Sequence, residues 1–321
     1  MLWIEQLYFF PQLKIQESNF ETDSINSFRK LDRKYKTCLH PDVDYQSEIF
    51  DFLEPSNLSD QKINLGTRNV HGIRNEASCW TIQGFEGLLI YPSLFVESDQ
   101  ISIGRECLES FNDPEISVRN IDAHIAPPEN NIWQREKQFV SNLEYPLNPN
   151  LPKSCVLSKL RWATLGYHYN WTERKYDKDK HSQMPLSILD MAESVADASG
   201  YRNMKAEAVI VNYYQATSTM GGHQNDAEET MEYPVISVSL GLSCVFLIGG
   251  ASSRSEDAVG IILRSGDVMV MGGRCRLCYH GVSHIISESS RCLDDSDDNE
   301  SSLVRKYLNH HRINVNIRQV Y

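Results

Sequence analysis

Among the residues able to do chemistry, His223 and His280 come first. The run Met220-Gly221-Gly222-His223-Gln224-Asn225-Asp226 sets one imidazole beside oxygen donors, and the second imidazole follows 57 residues later. Two histidines and a carboxylate that leave adjacent coordination positions open form the facial triad used for non-haem ferrous iron. The open positions take a bidentate 2-oxo acid and then dioxygen. A histidine taken singly is more often structural than a ligand, and His168, His181 and His284 carry no further signal from their own context.

Two other segments put polar side chains where a strand would be expected to turn apolar ones. In Arg312-Ile313-Asn314-Val315-Asn316-Ile317-Arg318 the even positions project to one side, and the isoleucines and valine to the other. Two arginines and two amides facing inward are costly unless they hold an anion. For this heptad alone, a sheet edge facing water is the alternative. In Asn212-Tyr213-Tyr214, residues 212 and 214 share a face and both can hydrogen-bond a carboxylate.

The order Asn-x-Tyr, His-x-carboxylate, His, then Arg-x-Asn-x-x-x-Arg resembles the AlkB family of Fe(II)/2-oxoglutarate-dependent dioxygenases, closest to the branch of its first animal homologue. The linking segments Leu160–Trp171, Ala206–Tyr214, Phe246–Gly250, Ser265–Met271 and Arg312–Val320 carry the likeness as well. It is continuous from about 155 to 321 and thinner from about 24 to 125, where Gly84–Phe95 is its best segment. The resemblance implies iron ligands at His223, Asn225 and His280, and 2-oxoglutarate contacts from Asn212, Tyr214, Arg312, Asn314 and Arg318. Arg312 would grip the distal carboxylate in bidentate fashion, and Arg318 would sit at the metal end beside residue 225. Tyr167, His168 and Trp171 would line the base pocket, although aromatic residues there could equally be core.

The implied reaction is oxidative demethylation: an N-methyl group is hydroxylated and the hemiaminal collapses to formaldehyde and a bare base. The implied substrates are 1-methyladenosine in tRNA and, behind it, N6-methyladenine in unpaired or bubble DNA, since the base must leave its stack to reach the metal. Position 225 departs from the family pattern, which asks for aspartate. Residues 223 and 225 share a strand face while Asp226 points away. Three readings stay open: Asn225 as a weakened ligand, Asp226 swinging in, or a deliberate replacement. An asparagine there is also expected to leave Arg318 without its ion pair. The alternative function is a nucleic-acid-binding pseudoenzyme of the same fold.

Strands must hold these residues. In Val235–Ile248 every even position is apolar, which is the period of a long strand or bent pair with one face in a core. Ile261–Leu263, Ser265-Gly266 and Val268–Met271 read as a hairpin, Gly84–Pro92 as a turn and strand, and Ile313–Val320 alternates again. Helices are expected at Ser24–Lys36, Ile101–Phe111, and from Pro185 to a stop at Gly200. Residues 37–80 read as turn-rich and Pro127–Pro152, with five prolines, as a loop. The expected fold is α+β, a double-stranded β-helix (jelly roll) with flanking helices. Its expected divisions are a tail over 1–23, an N-terminal helical extension with nucleic-acid contacts over 24–154, and the dioxygenase domain over 155–321.

A net charge of −12 over 321 residues weighs against a nucleic-acid partner unless basic residues are gathered. They are gathered in Arg29, Lys30, Arg33, Lys34 and Lys36, and again in Arg174, Lys175, Lys178 and Lys180. The first run would contact phosphates; a solvated helix face is the ordinary reading of either. The acidic stretch Asp294–Glu300 reads as solvated. No apolar run approaches the roughly 18 residues that span a bilayer, and the opening residues lack the basic start of a signal peptide. An intracellular monomer of nucleus or cytoplasm is expected, with no membrane partner. Eight scattered cysteines suit reduced thiols. Cys275 and Cys278 have C-x-x-C spacing but no second pair to complete a zinc tetrahedron, so core packing is preferred to a zinc or redox role.

Overall fold

Period-two patterning in the C-terminal half folds into two facing β-sheets with helices outside them. The computed structural model describes residues 26–37, 49–53, 63–122, 131–144, 147–287, 289 and 299–321. The expected tail over 1–23 and residues 294–298 of the acidic stretch lie outside them. In chain order the elements are α1 (Ser27–Thr37), β1 (Ile49–Phe50), β2 (Ile63–Val70), β3 (Arg74–Ile82), β4 (Leu88–Tyr91), α2 (Glu97–Leu108), β5 (Val118–Arg119), α3 (Ile132–Ser141), β6 (Trp162–Asn170) and β7 (Lys175–His181). There follow α4 (Leu186–Ala198), β8 (Ala208–Gln215), β9 (Met220–His223), β10 (Val235–Gly241), β11 (Cys244–Ile248), β12 (Val259–Leu263), β13 (Val268–Met271), β14 (His280–Ile285), α5 (Asn299–His310) and β15 (His311–Arg318).

The larger sheet runs β2-β3-β4-β13-β10-β15-β8-β6-β5, with β7 paired to β6, and the smaller runs β1-β12-β11-β14-β9. This is the expected α+β jelly roll. One core lies between the large sheet and its helices, where Ile236, Val238, Leu240, Ile313, Val315 and Ile317 meet residues such as Ile188, Val195, Val304 and Leu308. A second fills the space between the sheets, with Leu88, Ile90, Phe246, Ile261, Met269 and Val282. Helix α1 lies on the outer face of the small sheet, where Phe28 and Tyr35 pack on Val245 and Leu247.

Several expectations are corrected. The alternation over Val235–Ile248 is two strands in different sheets, joined at a corner, and every residue of both is buried. Helices cover one side of β10 and α1 covers one side of β11, so neither strand keeps a wet face. The chain turns at Gly241, whose φ of +80° is open to glycine, and a Cβ there would lie 2.1 Å from the His311 carbonyl oxygen. Likewise β12 and β13 do not pair: the turn at Ser265-Gly266 carries the chain from the small sheet to the large one. The proline-rich stretch contains α3, capped by the Asn131 side chain, which accepts from Gln134 N at 3.0 Å. The stretch read as turn-rich holds the β2–β3 hairpin, whose outer strand is exposed at almost every position and so lacks an alternating pattern.

Replacing Gly241 with alanine forces a strained φ and a backbone clash at once. The expected cost is roughly 2 kcal/mol or more of stability; denaturant unfolding of Gly241→Ala measures it, and a change under about 0.5 kcal/mol would mean the corner adapts freely.

Candidate active site

Register places the polar row of β15 between the sheets. Gly241, Ser239 and Ser237 of β10 stand opposite Arg312, Asn314 and Asn316, while β8 sets Tyr214 beside Arg312 and Asn212 beside Asn314. Partners across a ladder share a face, so three small β10 residues make room for long polar side chains. Arg312, 1% exposed, donates to the Leu242 carbonyl at 3.0 Å and to Ser239 Oγ at 2.7 Å. Its Nε is buried without a hydrogen-bond partner, and the buried Asp267 carboxylate acts on its charge only from a distance, with no ion pair to Arg312 among the described residues. A guanidinium buried this way is costly until an anion joins it. The Asn314 amide is already engaged, donating to Ser237 Oγ at 2.8 Å and accepting from Asn316 at 2.8 Å. The Tyr214 hydroxyl reaches the Met220 sulfur at 3.6 Å, and burial raises its pKa, so it stays a neutral donor. The donors therefore suit the distal carboxylate of a dicarboxylate such as 2-oxoglutarate.

The two candidate metal ligands meet where β9 and β14 pair, with His223 opposite His280 and ring centroids 4.4 Å apart. Each Nδ1 is spent on a backbone carbonyl, His223 on Gly221 at 3.0 Å and His280 on Cys278 at 2.8 Å. Donation from both Nδ1 atoms puts each ring's lone pair on Nε2, the atom a metal would take, and that of His280 faces the Asn225 amide. Burial, followed by the neighbouring His223, pushes the His280 pKa down to about 3, and burial lowers that of His223. Neutral rings of this kind fit a ferrous ion. The third position fits it poorly. Asn225 Nδ2 lies 3.2 Å from His280 Nε2, and Oδ1 accepts from Arg318 at 3.3 Å. Turning that oxygen toward a metal would set the amide NH2 against the guanidinium, donor against donor. Asp226 does not join the histidines: among the described residues no three His, Cys, Asp or Glu side chains are placed to hold a metal ion.

Arg318 keeps an ion pair after all, because Glu228 supplies it. Glu228 receives Arg318 at 3.0 Å, Arg276 at 2.9 Å and the Tyr176 hydroxyl at 3.2 Å. Burial alone would raise its pKa, yet the two guanidiniums hold it down at about 2. Arg276 also donates to the Asn225 and Tyr233 carbonyls, at 2.7 and 3.1 Å, and so pins the backbone that carries residue 225. Sequence reasoning missed Glu228, Arg276 and Tyr176; the only signal was that buried arginines beside a metal demand a carboxylate.

The aromatic candidates lie on the β6–β7 hairpin. Tyr167 lies between His181, whose ring is tilted against it, and Tyr321, which it meets edge to face, and Trp171, 46% exposed, packs on Trp162 and Tyr169. His168 is held by Thr164 at 3.0 Å. Tyr176 ties this hairpin to Glu228, but Tyr167 is turned toward the C-terminus. The basic residues of β7 pair with neighbouring acids, Lys175 with Glu173, Lys178 with Glu229 and Lys180 with Asp177, which is the solvated-surface arrangement. On α1, Arg29, Lys30 and Arg33 are exposed, Lys34 lies over the Tyr35 ring at 5.7 Å, and Lys36 pairs with Asp32. Phe28 of the same helix contacts Gly222, so this basic face is seated behind the strand that carries His223.

A profile of the 2OG-Fe(II) oxygenase superfamily matches residues 128–318. The chain belongs to that superfamily, in its AlkB-type branch. It is 30% identical to the human nucleic acid dioxygenase ALKBH1, covering 92% of this chain and 84% of that protein. It is 30% identical to the tRNA demethylase abh1 of Schizosaccharomyces pombe over 93% of this chain and 97% of that protein. It is 29% identical to the DNA N(6)-methyladenine demethylase ALKBH1A of Arabidopsis thaliana, over 92% and 96% of the two chains. Among the described residues no helix is long and apolar enough to cross a membrane.

Glu228→Gln removes the carboxylate between two buried guanidiniums and is expected to cost about 3–5 kcal/mol at pH 7. The ordinary glutamate pKa of 4.5 falls to about 2 in the fold, so this stability is present above 4.5 and is lost as pH falls toward 2. Unfolding measured against pH should show a flatter acid limb in the variant; an unchanged limb would mean the pairs contribute nothing.

Proposed function

We propose that this chain is an Fe(II)- and 2-oxoglutarate-dependent demethylase of N-methylated bases in nucleic acid, attenuated by Asn225. The observation that carries the reading is the buried Arg312, without a paired carboxylate, in line with a pair of neutral imidazoles. When bound, ferrous iron with 2-oxoglutarate and dioxygen supplies the oxidation of an N-methyl group, whose hydroxymethyl product collapses to formaldehyde. Arg312 would hold the distal carboxylate of 2-oxoglutarate, with Tyr214 and Asn212 beside it. Asn314 would act through Ser237 and Asn316, positioning the row rather than gripping the co-substrate. His223 and His280 would hold the metal, with Asn225 as a neutral third donor. Trp171 and its aromatic neighbours would stack on an extruded base, and Arg29, Lys30, Arg33 and Lys34 would meet the phosphate backbone.

The relatives named as a tRNA demethylase and a DNA N(6)-methyladenine demethylase support nucleic acid as the substrate class. We favour 1-methyladenosine in tRNA, then N6-methyladenine in unpaired DNA, acted on by a monomer in nucleus or cytoplasm. A second reading, a nucleic-acid-binding protein without turnover, is favoured by one observation, the amide of Asn225 lodged between Arg318 and His280.

Release of succinate and formaldehyde with ferrous iron, 2-oxoglutarate and methylated tRNA separates the two. The chain as it stands is expected to turn over slowly, Asn225→Asp at least roughly 100-fold faster, and Asp226→Ala like its parent. Full activity as written, lost in Asp226→Ala, would make Asp226 the ligand.

A further inference from the structure

The C-x-x-C pair plays no part in the chemistry above, yet it brackets the turn on which the metal end is hung. Cys275 and Cys278 close the 3-10 turn around Gly273–Leu277, with Cys278 N donating to the Cys275 carbonyl at 3.1 Å, and both thiols are free and buried. Three successive residues of this turn hold the site. The Arg276 guanidinium grips the Asn225 carbonyl at 2.7 Å and Glu228 at 2.9 Å. The Leu277 carbonyl accepts from Gln224 Nε2 at 2.6 Å, and the Cys278 carbonyl accepts from His280 Nδ1 at 2.8 Å. Residues 224, 225 and 280 thus depend on a segment four residues long that begins and ends on a cysteine.

We propose that Cys275 and Cys278 are a redox-active dithiol, which a hydroperoxide such as hydrogen peroxide converts to a disulfide that loosens the metal end. In the first step one sulfur attacks a peroxide oxygen, the O–O bond breaks, and water leaves with formation of a sulfenic acid. In the second, the other sulfur displaces that hydroxyl as water and the S–S bond forms. Two thiols lose two electrons and two protons, and one peroxide becomes two waters. The ends of a hydrogen-bonded turn have Cα atoms within roughly 7 Å, which overlaps the roughly 4.4–6.8 Å that a disulfide spans. The two free sulfurs must close to about 2.05 Å, and that contraction draws the Cys278 carbonyl and Arg276 with it. Both cysteines are buried, so the oxidant has to be small and uncharged. Zinc is a poorer occupant, because two thiolates are half a tetrahedron and no further ligands converge on them among the described residues.

The effect on the metal rests on the metal site proposed above, whereas formation of the disulfide does not. The full chain and its Asn225→Asp variant, reduced and then treated with hydrogen peroxide, are read in two ways: by peptide mapping of the cysteines and by manganese(II) affinity from electron paramagnetic resonance. Manganese is chosen because it avoids thiol ligands. The expected result is a Cys275–Cys278 link and a manganese Kd raised by roughly 10–100-fold, both reversed by dithiothreitol. Cys275→Ala, or Cys278→Ala should the first not fold, is expected to make the affinity indifferent to peroxide. Two free thiols after treatment, or a disulfide that leaves the affinity unchanged, would overturn the proposal. If the reduced Asn225→Asp chain binds no manganese, the metal-site reading fails instead, and the peptide map alone decides whether the dithiol is redox-active.

Discussion

A guanidinium between two β-sheets has to be given an anion, and the interior of this molecule is arranged around that requirement. Arg312 has a serine hydroxyl and a backbone carbonyl, which satisfy two of its donors but none of its charge. Arg318 and Arg276 share one carboxylate, Glu228, so the metal end carries two cations against one anion while Asn225 stays neutral. The small residues of β10 leave space opposite the first arginine, and the histidine pair closes the other end of the same face. The donors along that face suit a dicarboxylate.

The same charge count explains why position 225 matters more than its single atom suggests. With aspartate there, two anions would balance two guanidiniums, and the imidazoles could pass a dipositive ion onto a neutral site. With asparagine the surroundings are net positive, which favours the co-substrate and opposes the metal. Glu228 prevents collapse: without it Arg318 would have only an amide oxygen. Burial lowers the pKa of both histidines, that of His280 to about 3, so His280 stays neutral until well below its ordinary range.

Much of this was legible because polar residues on a strand face break a simple rule. Alternation put Arg312, Asn314, Asn316 and Arg318 on one face but by itself suited a sheet edge facing water, and the ladder partners Asn212 and Tyr214 fell on the same face by spacing. What alternation cannot convey is where a strand changes sheets: Gly241 and the Ser265-Gly266 turn look like ordinary interruptions, yet each moves the chain across the core. Helix α3 was hidden because prolines flank it rather than interrupt it. The outer strand of the β2–β3 hairpin, exposed at almost every position, has no period to find. Glu228 and Arg276 are far apart in sequence, and only burial makes them one group. The hydrogen bonds that join Asn314 to Ser237 and Asn316 could not be read from spacing.

The central claim is that Arg312 is a buried cation awaiting a carboxylate, and titration calorimetry of the metal-free chain with 2-oxoglutarate tests it most directly. Binding should be measurable without metal and should weaken at least roughly 100-fold in Arg312→Ala, the loss of a charge-assisted pair with its partner left bare. Equal affinity in the two proteins would place the dicarboxylate elsewhere and leave the inward row of β15 without its reason.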